Sequence, residues 1–129
     1  MNGNRYLLDT NAIIQLLKGN AELVALASNA DLLATSIIAE LEYFSFSDLS
    51  ENDISLYRVF RSRIRVFDVP SDDLILTHMV TEARKSFKLK LPDAIIAATA
   101  RANGLAVLTA DDHFKLLTNP WQVRFFTPN

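Results

Sequence analysis

Residues 5–11, Arg5-Tyr6-Leu7-Leu8-Asp9-Thr10-Asn11, carry the reading on which the fold turns. Residues 5–8 read as a short buried strand, and Asp9-Thr10-Asn11 then supplies residues that favour helix starts. The periodic run Ile13, Ile14, Leu16 and Leu17 follows, so a strand delivers the chain directly into a helix.

Outward from this point the same alternation repeats. Gly19-Asn20 closes the first helix, residues 21–27 begin a second with Leu23, Val24 and Leu26, and residues 32–35 form the next strand. Ser36 caps a third helix in which Ile37, Leu41 and Phe44 are expected to point one way, while Ser36 and Glu40, four apart, share another face. A fourth helix is expected over about 53–63, then a strand over 66–69 stopped by Pro70, then a long helix from Ser71 to about Phe87. Pro92 and Asp93 open an apolar helix over 94–102 that Asn103-Gly104 closes, and residues 106–108 and 123–126 supply two further strands. Short apolar strands alternating with helices predict an α/β fold, a central parallel sheet of about four to five strands flanked by α-helices.

The chain has 129 residues, half of them hydrophobic, with few Gly and Pro, which fits one domain over 1–129 with a substantial core. The absence of Cys excludes disulfides, thiolate nucleophiles and Cys-ligated zinc, and suits a reducing cytoplasm. No apolar run approaches the ~18 residues needed to span a bilayer, and the MNGNRY start lacks a signal-peptide core, so a soluble cytoplasmic protein without membrane contact is expected. A net charge of −2 gives no global attraction to nucleic acid, but basic residues cluster. Arg58, Arg61, Arg63 and Arg65 form one group; Arg84, Lys85, Lys88 and Lys90 form another just before Asp93. Each group reads either as a solvated helix end or as a surface facing a polyanion.

Four acids stand at the edges of apolar segments: Asp9 in LLDTN, Glu40 in TSIIAELEY, Asp93 in LPDAIIAATA and Asp111 in LTADDHF. Singly, Asp9, Asp93 and Asp111 are ordinary helix-cap candidates, and Glu40 an ordinary helix residue. Jointly they favour function: Asp9 and Asp111 follow buried strands, beyond whose carboxyl ends ligands bind in open α/β sheets, and Glu40 lies in a largely apolar helix. Carboxylates gathered in one cleft repel and call for a divalent cation. An all-oxygen set without His or Cys selects Mg²⁺ or Mn²⁺, an ion suited to activating water for attack on a phosphodiester. His78 reads as structural or surface, His113 as a weak site candidate, and Trp121 as packing.

On these stretches the sequence resembles PIN-domain ribonucleases, especially VapC-type toxins. The likeness rests on the ordered set of Asp-Thr-Asn after the first strand, Glu in the third helix, Asp opening an Ala-rich helix, and Thr-x-Asp followed by Phe114. The resemblance implies RNA cleavage with Mg²⁺ or Mn²⁺, inhibition by a cognate antitoxin, and commonly a homodimer. It makes Asp9, Glu40, Asp93 and Asp111 the catalytic, metal-binding acids, with Thr10, Asn11, Ser36 and Thr109 orienting them by hydrogen bonds. Either Asp111 or Asp112 could turn inward; Asp111 is taken here. Arg84, Lys85, Lys88 and Lys90 beside the acids are expected to hold RNA phosphates. Ile13, Leu17, Leu23 and Leu26, with Tyr43, Phe44 and Phe46, are expected chiefly in the core, with a dimer or antitoxin surface as their other use.

Three other readings compete. A receiver-like Mg²⁺-binding signalling domain has similar length, but it carries paired acids after the first strand, where this chain has Asp9-Thr10-Asn11. An Asp-x-Asp phosphatase is weakened by Asn11 at its second position. A catalytically inactive PIN-like RNA-binding protein is the third.

Overall fold

The computed structural model describes residues 4–129. In chain order the elements are β1 (Arg5–Leu8), α1 (Thr10–Leu17), α2 (Ala21–Ser28), β2 (Leu32–Ser36), α3 (Ile37–Phe44), α4 (Glu51–Arg61), β3 (Arg65–Phe67), α5 (Leu74–Phe87), α6 (Leu91–Ala102), β4 (Ala106–Thr109), a 3₁₀ turn (Asp112–Leu116) and β5 (Val123–Phe125). The strands form one five-stranded sheet in the order β3-β2-β1-β4-β5, and all four pairings are parallel. The expected α/β architecture is the observed one.

β1 lies in the middle because its Leu7 and Leu8 are completely buried, with helices covering both faces of the sheet. Leu8 pairs with Thr35 on one side and Leu108 on the other. From β1 the chain builds outward through β2 and β3, then returns to the opposite side for β4 and β5. The reversal falls between β1 and β4, and open α/β sheets take their ligands beyond the carboxyl ends of the strands at such a point. α6 covers this region closely because it buries Ala94, Ala97, Ala98 and Ala100, whose small side chains let a helix approach strands.

Several boundaries differ from the sequence expectation, each for a local reason. α4 begins at Glu51 rather than about 53, since Ser50 and Asp53 form a reciprocal capping box. α5 begins at Leu74 rather than Ser71, because the Asp73 carboxylate accepts from the Leu76 amide and fixes the cap there. β3 occupies Arg65–Phe67 instead of 66–69, set by pairing with residues 34–36 of β2. α6 starts at Leu91, with Pro92 in its first turn, so Asp93 lies inside the helix.

The largest correction concerns the rotation of α3. Its buried residues are Ala39, Glu40 and Tyr43, whereas Leu41 is 56% and Phe44 40% exposed. The face expected from Ile37, Leu41 and Phe44 therefore lies roughly a third of a turn away from the one the core takes. Of the other apolar residues flagged in the sequence, Ile13, Leu23 and Tyr43 are in the core and Phe46 is exposed. Among the described residues no helix is long and apolar enough to cross a membrane.

Candidate active site

Asp9 leaves the end of β1 as the N-cap of α1. Its Oδ1 accepts from the Ala12 amide at 2.9 Å, and its Oδ2 accepts from the Thr109 hydroxyl at the end of β4. Thr109 also accepts from the Asp111 amide at 3.0 Å through the same hydroxyl oxygen, so one buried threonine ties the ends of two strands together. Burial pushes the Asp9 carboxyl up to about 6; the bonds from Thr109 and Ala12 oppose this, and the charges of Asp93 and Asp111 add to it.

Asp93 enters from the first turn of α6. The N-cap of that helix is Lys90, which makes no side-chain cap bond, so Asp93 is free of the capping duty anticipated for it. Half-buried, its carboxyl is raised first by desolvation and then by the charges of Asp111 and Glu42, against the opposing pull of His113 and Lys90. Asp111 caps the 3₁₀ turn through the His113 amide and pairs with His113 Nδ1, both at 2.9 Å. Asp112 points elsewhere: it pairs with Lys115 at 3.0 Å and its side chain is 83% exposed. Of the two adjacent acids, Asp111 is the one whose charge acts on Asp9 and Asp93.

Glu40 does not join this group. Its carboxylate, 9% exposed as a residue, accepts from the Tyr57 hydroxyl at 2.8 Å and from Arg61 Nε, both on α4. Glu42, two residues on and about 200° around the axis, faces the other way. Glu42 accepts from the Thr10 hydroxyl at 2.6 Å and acts electrostatically on Asp93. Glu40, expected among the acids, is thus turned toward α4. The spacing of Ser36 and Glu40 suggested a shared face, but only donors 17 and 21 residues further along the chain decide that Glu40 is consumed in packing. One signal in the sequence pointed to Glu42: a second acid in the same short helix, on the side opposite Glu40.

The supporting residues divide in the same way. Thr10 and Thr109 hydrogen-bond site carboxylates. Ser36 is wholly buried and caps α3 through the Ile38 and Ala39 amides, a helix role. Asn11 is exposed and lines a surface groove with Thr10, Ile14, Ile38 and Glu42. Of the basic residues, Lys90 acts on Asp93, while Arg84, Lys85 and Lys88 are exposed around the α5–α6 turn, which Lys88 closes in the left-handed conformation (φ 60°). Arg61 is taken by Glu40; Arg58, Arg63 and Arg65 are exposed. His78 is on the surface, and Trp121 is buried beneath Arg101, whose guanidinium carbon lies 4.7 Å from the ring centroid.

The donors are all oxygen, and among the described residues the charges that act on Asp9 are those of Asp93 and Asp111. Such a set suits a hard divalent ion that keeps several waters. Among the described residues no three His, Cys, Asp or Glu side chains stand close enough together to hold a metal ion as they are placed.

A family model described as the PIN domain matches residues 6–119. The chain belongs to the PIN-domain family. Its shape is similar to a chain of a toxin–antitoxin complex from Klebsiella pneumoniae, at 27% identity and a TM-score of 0.71 over 92% of this chain and 99% of that one. A DNA-bound VapBC complex from Salmonella typhimurium matches at 26% identity and 0.73, covering 94% and 97%. VapBC2 from Rickettsia felis, bound to a promoter DNA fragment, has a TM-score of 0.75 over 95% and 98%; at 23% identity it speaks for the fold alone. Comparison with curated proteins gives no match. The PIN membership sets aside the receiver and phosphatase readings of the first strand.

Proposed function

We propose that this PIN domain is a Mg²⁺- or Mn²⁺-dependent endoribonuclease that hydrolyses RNA phosphodiester bonds as the toxin of a toxin–antitoxin pair. On this reading it works in the cytoplasm as a homodimer and is restrained by a cognate antitoxin. The observation that supports the chemistry is that Asp93 and Asp111 lie near enough to Asp9, and Asp111 and Glu42 near enough to Asp93, to oppose its ionisation beyond the ends of β1 and β4. The toxin assignment rests on the PIN match and on likeness to the Klebsiella and Salmonella complexes.

A bound Mg²⁺ or Mn²⁺ would make water a better nucleophile at neutral pH and neutralise charge on the phosphate oxygens. Asp9, Glu42, Asp93 and Asp111 are the residues that would hold it. Thr109 and the Ala12 amide fix both oxygens of Asp9, so this carboxylate meets a ligand without first losing rotamer freedom. Thr10 does the same for Glu42. Lys90, beside Asp93, offers the positive charge a phosphate needs when it approaches a cleft of acids; Arg84, Lys85 and Lys88 extend that positive rim.

The test is direct. Purified chain should cleave single-stranded RNA with Mn²⁺ or Mg²⁺ and not in excess chelator, and Asp93→Asn should remove the activity while keeping the cooperative melt. Cleavage that persists in chelator, or in a folded Asp93→Asn protein, would sink the proposal.

A further inference from the structure

Glu40, Tyr57 and Arg61 form a polar cluster that the proposed chemistry does not use. Glu40 lies in the buried stripe of α3; its carboxylate receives the hydroxyl of the wholly buried Tyr57 and the Nε of Arg61. The Tyr57 ring stacks on Tyr43 at 4.8 Å between centroids and meets Phe44 edge-on at 5.1 Å. Tyr43 donates its own hydroxyl to the Asp53 carbonyl of α4 at 3.1 Å. Burial and the adjacent carboxylate hold the Tyr57 phenol well above its ordinary value, so it remains a donor.

Apolar contact alone would hold two helices together as well as this does, because desolvating a charge offsets most of what its partners return. What apolar contact lacks is direction. Two donors from α4 converging on one carboxylate fix the rotation of α3 about its own axis. Glu42 rides on the same eight-residue helix, on the far side from Glu40, and any rotation moves both. A turn of about 10° carries a carboxylate ~6 Å from the axis by about 1 Å, a displacement that costs on the order of a hundredfold in rate when it falls on a catalytic group.

We infer that Glu40, Tyr57 and Arg61 are positioning residues that set Glu42 in register with Thr10 and Asp93. This rests on the metal-dependent nuclease reading of the cleft. A carboxylate that α4 holds on one face of α3 fixes the aim of a second carboxylate on the other.

The experiment compares Glu40→Gln, Tyr57→Phe, Glu42→Gln and the Glu40→Gln/Glu42→Gln double variant with the unaltered chain. It uses thermal melts, Mn²⁺ calorimetry and steady-state cleavage of single-stranded RNA. Glu40→Gln and Tyr57→Phe are expected to melt cooperatively, bind Mn²⁺ more weakly, and lose about tenfold in kcat with KM within about twofold. In the Glu42→Gln background, Glu40→Gln should cost little more, because the residue it aims is already disabled. Unchanged kcat and Mn²⁺ affinity in both folded variants would overturn the inference. So would an undiminished penalty in the Glu42→Gln background, or loss of a cooperative melt in both variants, which would make the cluster a plain stability element. If the unaltered chain binds Mn²⁺ without cleaving RNA, the nuclease reading fails and the Mn²⁺ affinities alone decide the positioning role; if it binds no Mn²⁺, both fall.

Discussion

Glu40 and Glu42 are the same residue type, two positions apart on one short helix, and the fold treats them in opposite ways. Glu40 is turned into packing and supplied with a phenol and a guanidinium. Glu42 is turned to the cleft, given one threonine hydroxyl, and left facing Asp93, whose ionisation it opposes. Across the wider molecule the contrast holds. The α3–α4 cluster satisfies its charge from within the protein, whereas the acids beyond β1 and β4 oppose one another's ionisation. A neutralised carboxylate serves structure; a set of carboxylates held together against their repulsion is suited to receiving a cation from outside.

The strongest way to break this contrast is to remove a cleft carboxylate while keeping its shape. Asp9→Asn and Asp93→Asn should each lower Mn²⁺-dependent RNA cleavage by more than about a hundredfold, and activity within tenfold of the unaltered chain would dissolve the division between the two regions. Glu42→Gln should follow at about a hundredfold, clearly worse than Glu40→Gln; the reverse order in the same cleavage assay would restore Glu40 as the site acid.

Stability should move the opposite way to activity. Asp9 has a folded pKa of about 6 against 3.8 for the free side chain, so the folded state binds more protons between these values and loses stability as pH rises through that window in chelator. Above about pH 6 the full cost of holding the charge is present. Asn keeps the helix cap without the charge, so Asp9→Asn should raise the urea-derived unfolding free energy at pH 7 by on the order of 1–3 kcal/mol and flatten its slope between pH 4 and 6. A variant less stable than the parent at pH 7 would mean that the carboxylate's hydrogen bonds outweigh its burial. In the other region, Tyr57→Phe should destabilise by about 1 kcal/mol, since it leaves a buried carboxylate short of a donor.

The smallest effect belongs to the rim. Lys90→Ala should weaken RNA binding a few-fold and reduce the slope of log K against log salt by about one; no change in the salt slope would remove Lys90 from the phosphate path.

Much of the fold was legible locally. The apolar run ending at Leu8 and the cap residues after it specify a strand passing into a helix, and Ala-rich residues behind Pro92 specify a helix able to lie close on a sheet. Asp9 and Asp111 could be placed at strand ends for the same reason. The rotation of α3 was not legible, because apolar and acidic residues occur on more than one of its faces: Leu41 and Phe44 look like core, yet Ala39, Glu40 and Tyr43 take that place. The stacking of Tyr57 on Tyr43 and the donors reaching Glu40 come from α4, beyond the range of any helical repeat.

The sequence by itself determined the alternation of strands and helices, the parallel sheet, and the presence of acids at the carboxyl ends of its strands, since these depend on periodicity and caps within a few residues. Only the tertiary structure decided which glutamate faces the cleft and which of Asp111 and Asp112 joins it. A carboxylate's role depends on the donors and charges within a few ångströms, and in this PIN domain those come from other elements: α4 for Glu40, α1 for Glu42, and the meeting of β1 with β4 for Asp9.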